Sequence, residues 1–166
     1  MIRASLLLLA FACAATPQVK LAIINTQSAV LETAEIKKAQ GELEAKFRPR
    51  SQTMEKLQKE LAELQQKLQA GAGKISPQEE QSVTLTGQRK QRELQRMGED
   101  LQADVDRERN DILQRSGSRM QEVVKKLAEE RGLDVVIDVS NTVYYKPALD
   151  LTKEAVAAFD KAYPIK

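Results

Sequence analysis

"LDVVIDVSNTVYYKP", Leu133 to Pro147, is the stretch on which the reading of the fold turns. Two runs rich in β-branched and aromatic residues flank a Ser-Asn pair, which predicts two strands and a tight turn, a β-hairpin. Val135, Ile137 and Val139 fall on one face of the first strand; Asp134, Val136 and Asp138 fall on the other. Val143 and Tyr145 alternate with Tyr144 and Lys146 in the second. The roughly ninety residues before this stretch are charged, helix-forming and Leu-spaced. A hairpin of this size needs a sheet partner. "VKLAIIN", Val19 to Asn25, is the stretch that fits: short, rich in Leu, Ile and Val, and bounded by Pro17 and Asn25.

Between these two stretches the chain reads as helix. A helical region begins around Gln27. From Leu43 the apolar positions run Leu43, Phe47, Arg50, Met54, Leu57, Leu61, Leu64, Leu68, alternating spacings of four and three as in a coiled coil. Arg50 stands in the seam, and Pro49 removes a backbone donor, so a kink or loosening is expected over Phe47 to Ser51. The seam ends at "AGAGKISPQEE". Gly71 and Gly73 break the helix. Ser76, Pro77 and Glu79 then form a capping box with Pro at the first helical position. Residues 70–76 are therefore a reversal. The second helix can run from Pro77 to Arg131, 55 residues or about 80 Å. Its apolar positions, among them Val83, Leu94, Met97, Leu101, Val105, Ile112, Met120, Val123, Val124 and Leu127, are mostly three and four apart. Gly132 supplies a left-handed cap.

Two antiparallel helices return the chain to its starting point. Residues 25 and 132 then lie close together, and the N-terminal strand can pair with the C-terminal hairpin. A last helix is expected over about Thr152 to Tyr163, capped by Thr152, with Val156, Phe159 and Tyr163 on one face. The strands and last helix total fewer than about 40 residues, too few to hold a core unaided. Oligomerisation would supply the missing burial and cover strand edges; support from the adjoining helix ends is the alternative.

The remaining composition narrows function. "MIRASLLLLAFACAATPQ" resembles an export leader: Arg3, then a short apolar run from Leu6 to Ala12, then an A-x-A-like cut at Ala12-Cys13-Ala14. A buried N-terminal helix is the alternative. Cleavage near Ala15 to Gln18 removes Cys13, the chain's one cysteine, and with it any disulfide or thiol chemistry. A lipoprotein would instead begin at Cys13. The chain has no histidine, so the usual general base and commonest metal ligand are missing. "GAGK" fails as a phosphate loop because Leu68 stands where its first glycine belongs and Ile75 follows Lys74. Carboxylate pairs such as Asp104 and Asp106 sit on polar helices and read as solvated faces. No enzyme, cofactor or ATP-driven cycle is expected.

The net charge of +2 gives no support to nucleic-acid binding. Residues 42–131 hold 18 basic and 17 acidic residues. Residues 67–96, around the tip, hold six basic (Lys67, Lys74, Arg89, Lys90, Arg92, Arg96) and three acidic. That bias could attract acidic partners or anionic lipid head groups.

The order of parts resembles the Skp (OmpH) family of periplasmic chaperones. The resemblance rests on the leader, "LAIIN", the charged hairpin containing "ELEAKFRPRSQTMEKLQKELAELQQKLQ", the stretch "GLDVVIDVSNTVYY" and "DLTKEAV". It implies an α+β fold in which a long antiparallel helical coiled-coil hairpin projects from a small β-rich trimerisation body, giving a jellyfish-like homotrimer. Residues 1–15 would be the signal peptide, 19–41 the first strand and start of the helical region, 42–131 the arm with its tip at 70–76, and 132–166 the hairpin and last helix of the body. It also implies an ATP-independent holdase for unfolded outer-membrane proteins. Leu21, Ile23, Val135, Ile137, Val139 and Tyr144 would belong to the body and subunit contacts. Distributed client contacts would include Phe47, Met54 and Met97 along the arm, with Lys74, Arg89 and Arg92 toward the tip. Ordinary seam packing is the alternative role for Phe47, Met54 and Met97. A structural or tethering coiled coil of the cell envelope is the competing function.

Overall fold

The structure is a computed structural model describing residues 19–165; the leader reading lies outside those residues. Strand β1 (Leu21–Ile24) leads into α1 (Thr26–Glu32) and α2 (Ala34–Ala70). After the reversal come α3 (Pro77–Arg131), β2 (Val135–Asp138) and α4 (Thr152–Ala162). β1 pairs with β2 in parallel, Leu21 opposite Val135 through Ile24 opposite Asp138. The two ends of the polypeptide thus meet, and the whole helical hairpin is the connection between adjacent parallel strands.

The expected β-hairpin does not form. β2 ends at Asp138, and Val139–Asn141 is a 3₁₀ turn. The Asp138 carboxylate explains the switch. Its Oδ1 accepts the Ser140 amide at 2.9 Å and its Oδ2 the Thr26 amide at 3.2 Å. The Thr142 hydroxyl closes the turn on the Asp138 carbonyl. This local side-chain capping competes successfully with a ladder. Val139 therefore lies in the turn rather than the strand. Residues 142–146, Tyr144 included, have no strand partner among the described residues. The chain returns only at Asp150, which bridges Ile23 on the other side of β1.

Between α1 and α2 the helical path breaks once, at Thr33. Its backbone is extended (φ −61°, ψ 149°). The fully buried hydroxyl donates to the Val30 carbonyl at 2.8 Å and accepts the Ile36 amide, ending one helix and capping the next. α2 itself runs unbroken through Pro49. The reversal matches expectation: Ser76 Oγ accepts the Glu79 amide, and Gly73 takes a positive φ of 73°. The Glu79 carboxylate reaches Lys67 rather than the cap, so half of the capping box forms. At Gly132 (φ 59°) the Leu133 amide donates to the Ala128 carbonyl and the Gly132 amide to Glu129, a Schellman ending.

The core lies at the base. Ile24, Ala29, Val30, Ile36, Met120, Val123, Ala155 and Phe159 are buried together, with Ile112, Val124, Leu127, Val136 and Tyr163 packed around them. α1 and the C-terminal third of α3 thus supply apolar surface that the two strands and last helix lack alone. The adjoining helices build this core within one chain, so core size does not by itself demand association. Thr152 is not the cap of α4. It is the helix's first residue, and its hydroxyl accepts the Asn25 amide at 2.9 Å, while Asp150 Oδ1 accepts the Thr152 amide.

Candidate functional site

Beyond the base, α2 and α3 continue as an arm. Every seam position read from α2, from Leu43 to Leu68, is buried or half-buried, and Phe47, Leu57 and Leu61 are the most enclosed. On α3, Val83 is buried while Leu94, Met97, Leu101 and Val105 are half-buried. A single narrow seam leaves most of each helix in water. Arg50 keeps its place in the seam because Asp104 faces it at 2.5 Å. The Arg50 hydrogen bond, joined by the charges of Arg50, Arg107 and Lys46, outweighs the opposing effect of desolvation and holds the Asp104 carboxyl below its usual range. Lys46 with Glu108, Lys90 with Glu60 and Lys67 with Glu79 repeat the arrangement along the arm.

The candidate contact residues are spread along this arm. Phe47 is buried in the seam with Lys46 and Arg50 over its ring, at 5.6 and 5.8 Å from the centroid. Met54 and Met97 are half-buried; the Met54 methyl lies beside Gly98 on the opposite helix. Lys74 is exposed at the tip, and Arg89 and Arg92 are exposed on α3. Of the six basic residues around the tip, Lys67 and Lys90 are paired across the arm. Lys74, Arg89, Arg92 and Arg96 have no ion-pair partner among the described residues.

The candidate assembly residues fall into two groups. Ile23 is 2% exposed, so its own chain already covers it, and Leu21, Ile137 and Val139 are half-buried. Val135 and Tyr144 are exposed, at 42% and 80%. Beside them Val143 stands fully in solvent. β1 lies between β2 and Asp150, so among the described residues the outer edge of β2 is open.

Sequence patterning missed the polar clamp that joins the two chain ends. The Lys20 amide donates to Asp134 Oδ2 at 2.7 Å, and the Ala34 amide to Asp160 Oδ1 at 2.9 Å. Together with Asp138 on Thr26 and Thr152 on Asn25, these side chains satisfy backbone amides more than a hundred residues away. Hydrogen bonding first from Thr26 and then from Ser140 holds the Asp138 carboxyl well below the usual carboxylate range. The Asp residues between apolar strand positions were the available signal, but spacing alone does not tell a solvated aspartate from a capping one.

Among the described residues no group of three His, Cys, Asp or Glu is placed to hold a metal ion, and no helix is long and apolar enough to cross a membrane. Fold and surfaces define a helical-hairpin scaffold, an extended arm carried on a small α/β base. The family model for outer membrane protein (OmpH-like) matches residues 20–159. The chain belongs to that family, the Skp (OmpH) family of non-enzymatic periplasmic chaperones. It is 30% identical to the chaperone protein Skp of Yersinia enterocolitica over 158 residues, 92% of this chain and 93% of that one. It is 26% identical to a Skp-like protein of Pseudomonas aeruginosa over 139 residues, 84% and 83% of the two chains. A solved OmpH-like protein from Caulobacter crescentus shares the fold, with a TM-score of 0.74 at 19% identity over 91% of this chain and 89% of that chain.

Proposed function

We propose that this chain is an ATP-independent periplasmic holdase that binds unfolded outer-membrane proteins as a homotrimer. The observation that carries the reading is the pairing of a long, water-exposed arm with a base whose β2 edge stays open beside exposed Val143 and Tyr144. An unpaired edge flanked by unpartnered apolar side chains is a template for another chain. Residues 142–146 would pair there with a neighbouring copy, and Val135, Ile137 and Tyr144 would be covered by it. Leu21, Ile23 and Val139 would support the contact from within the body. Three arms, each spanning 42–131, would then project from bodies formed by 19–41 and 132–166. The leader would direct export and be cleaved off near Ala15 to Gln18.

Unfolded barrel proteins expose apolar, unpaired strands that aggregate. A narrow seam and scattered charges give weak contacts, and several arms together turn weak contacts into retention. Phe47, Met54 and Met97, with Lys74, Arg89 and Arg92, would contribute to client holding. The four basic side chains left unpaired around the tip would also meet anionic lipid.

The test is aggregation of a urea-denatured outer-membrane barrel diluted into stoichiometric mature protein. Suppression of light scattering without ATP is expected. A fully assembled protein that leaves scattering unchanged would favour the tethering function instead. Ile137→Asp is expected to dissociate the subunits in sedimentation; an intact assembly would count against the β-edge interface.

A further inference from the structure

Where the arm leaves the base, a groove of about 530 Å³ runs between α2 and α3. Its α2 wall follows one helical face from Ile36 to Ser51, about 22 Å at the helical rise. Leu31, Leu43, Phe47, Val105, Ile112 and Leu113 make the surface apolar. Two arginines edge it, Arg48 from α2 and Arg109 from α3. The pairing of Lys46 with Glu108 and of Arg50 with Asp104 fixes the register of the helices. It brings Arg48 and Arg109 level to within about one helical turn. Arg48 makes one long contact, 3.5 Å to Glu44 on its own helix. Arg109 has no ion-pair partner among the described residues.

We propose that this groove binds a long-chain fatty-acid carboxylate, with the alkyl chain along the apolar surface and the head group on Arg109, assisted by Arg48. An apolar cleft of this size with a few polar groups at one edge has the form of a small-molecule site. A guanidinium fork matches a carboxylate in two hydrogen bonds. Glu44 at the same rim lies on the Arg48 side, 3.5 Å from its guanidinium, so Arg109 takes the anion and Arg48 only assists. The walls decide against an extended peptide. Both are α-helices whose backbone groups are bonded within the helix apart from the donor missing at Pro49, and Ser51, one of the polar side chains lining them, donates to the Phe47 carbonyl. A strand seated there would lose water from its amides without gaining partners. An alkyl chain carries no such groups.

Phe47 also stands among the proposed client contacts, so binding at this site is read without client present. It is tested by titrating the mature protein with a fluorescent fatty acid below its micelle concentration and displacing it with palmitate. Saturable binding is expected. Cetyl alcohol, and the double variant Arg48→Gln, Arg109→Gln at exposed positions, are each expected to weaken binding about tenfold. Ala39→Phe, which fills the groove, is expected to abolish binding while circular dichroism and sedimentation stay unchanged. If that variant misfolds, the arginine pair carries the test. No saturable binding to the unmodified protein would overturn the proposal. So would equal affinity for palmitate and cetyl alcohol, or stronger displacement by a capped peptide of alternating apolar residues. Dissociation of the assembly by a folded Ala39→Phe would assign the groove to a second copy.

Discussion

Phe159 has no exposed surface, and its ring lies 5.0 Å from that of Tyr163. It is the largest side chain buried where α1, α3 and α4 meet. Phe159→Ala is therefore expected to cost about 3–5 kcal/mol, read from chemical denaturation. Asp138 acts through charge rather than volume. Its carboxyl is held below the usual range, so the folded state binds a proton less readily than the unfolded chain. The resulting stability is complete above an unfolded aspartate pKa of about 3.9 and is lost as pH falls through that value toward the folded one. The thermal midpoint is expected to drop steeply between about pH 4 and pH 2, and Asp138→Asn to flatten that drop while lowering stability at neutral pH. An acid profile identical in the two proteins would separate Asp138 from the clamp.

At the level of elements, α2 tolerates two residues that patterning marks as faults. Pro49 lies inside an unbroken helix, where a proline removes a hydrogen bond and crowds the preceding turn at a cost near 3 kcal/mol. Pro49→Ala is expected to stabilise the arm by about 1–3 kcal/mol in urea denaturation followed by circular dichroism. Arg50 is matched by Asp104 across the arm, and both side chains remain more than a third exposed. Solvent screening limits such a pair, so a double-mutant cycle with Arg50→Ala and Asp104→Ala is expected to give a coupling of about 0.2–1 kcal/mol that shrinks with salt. A larger, salt-independent coupling would mean the pair is drier than its exposure indicates. The arm is thus held by a thin apolar seam and screened charges, while the dense packing sits at the base.

For the whole molecule the open β2 edge matters most. Val143 and Tyr144 contribute little to burial in their own chain. Val143→Asp with Tyr144→Asp is expected to leave the chain folded by circular dichroism and to dissociate the assembly in sedimentation. Phe159→Ala acts in the opposite order, lowering fold stability first. An assembly that survives the double substitution would place the subunit interface elsewhere.

The amino-acid sequence determined the elements whose signals are local. The seam from Leu43 to Leu68, the stop at Gly71, the cap at Ser76 and the left-handed Gly132 all depend on residues within a turn or two of one another, so spacing and residue type suffice. The meeting of β1 with β2 was also legible, because a helical hairpin has nowhere else to deliver its ends. Tertiary structure decided what depends on distant partners. Asp138 could have continued a strand; the Thr26 amide, 112 residues away, helps hold its carboxylate at the head of a 3₁₀ turn. Thr152 could have capped its own helix, but Asn25 claims its hydroxyl. The core grew beyond the strands because α1 and the end of α3 fold onto them. A polar side chain near a chain reversal has several acceptors and donors within reach, and which one it serves is settled by burial, which only the assembled fold creates.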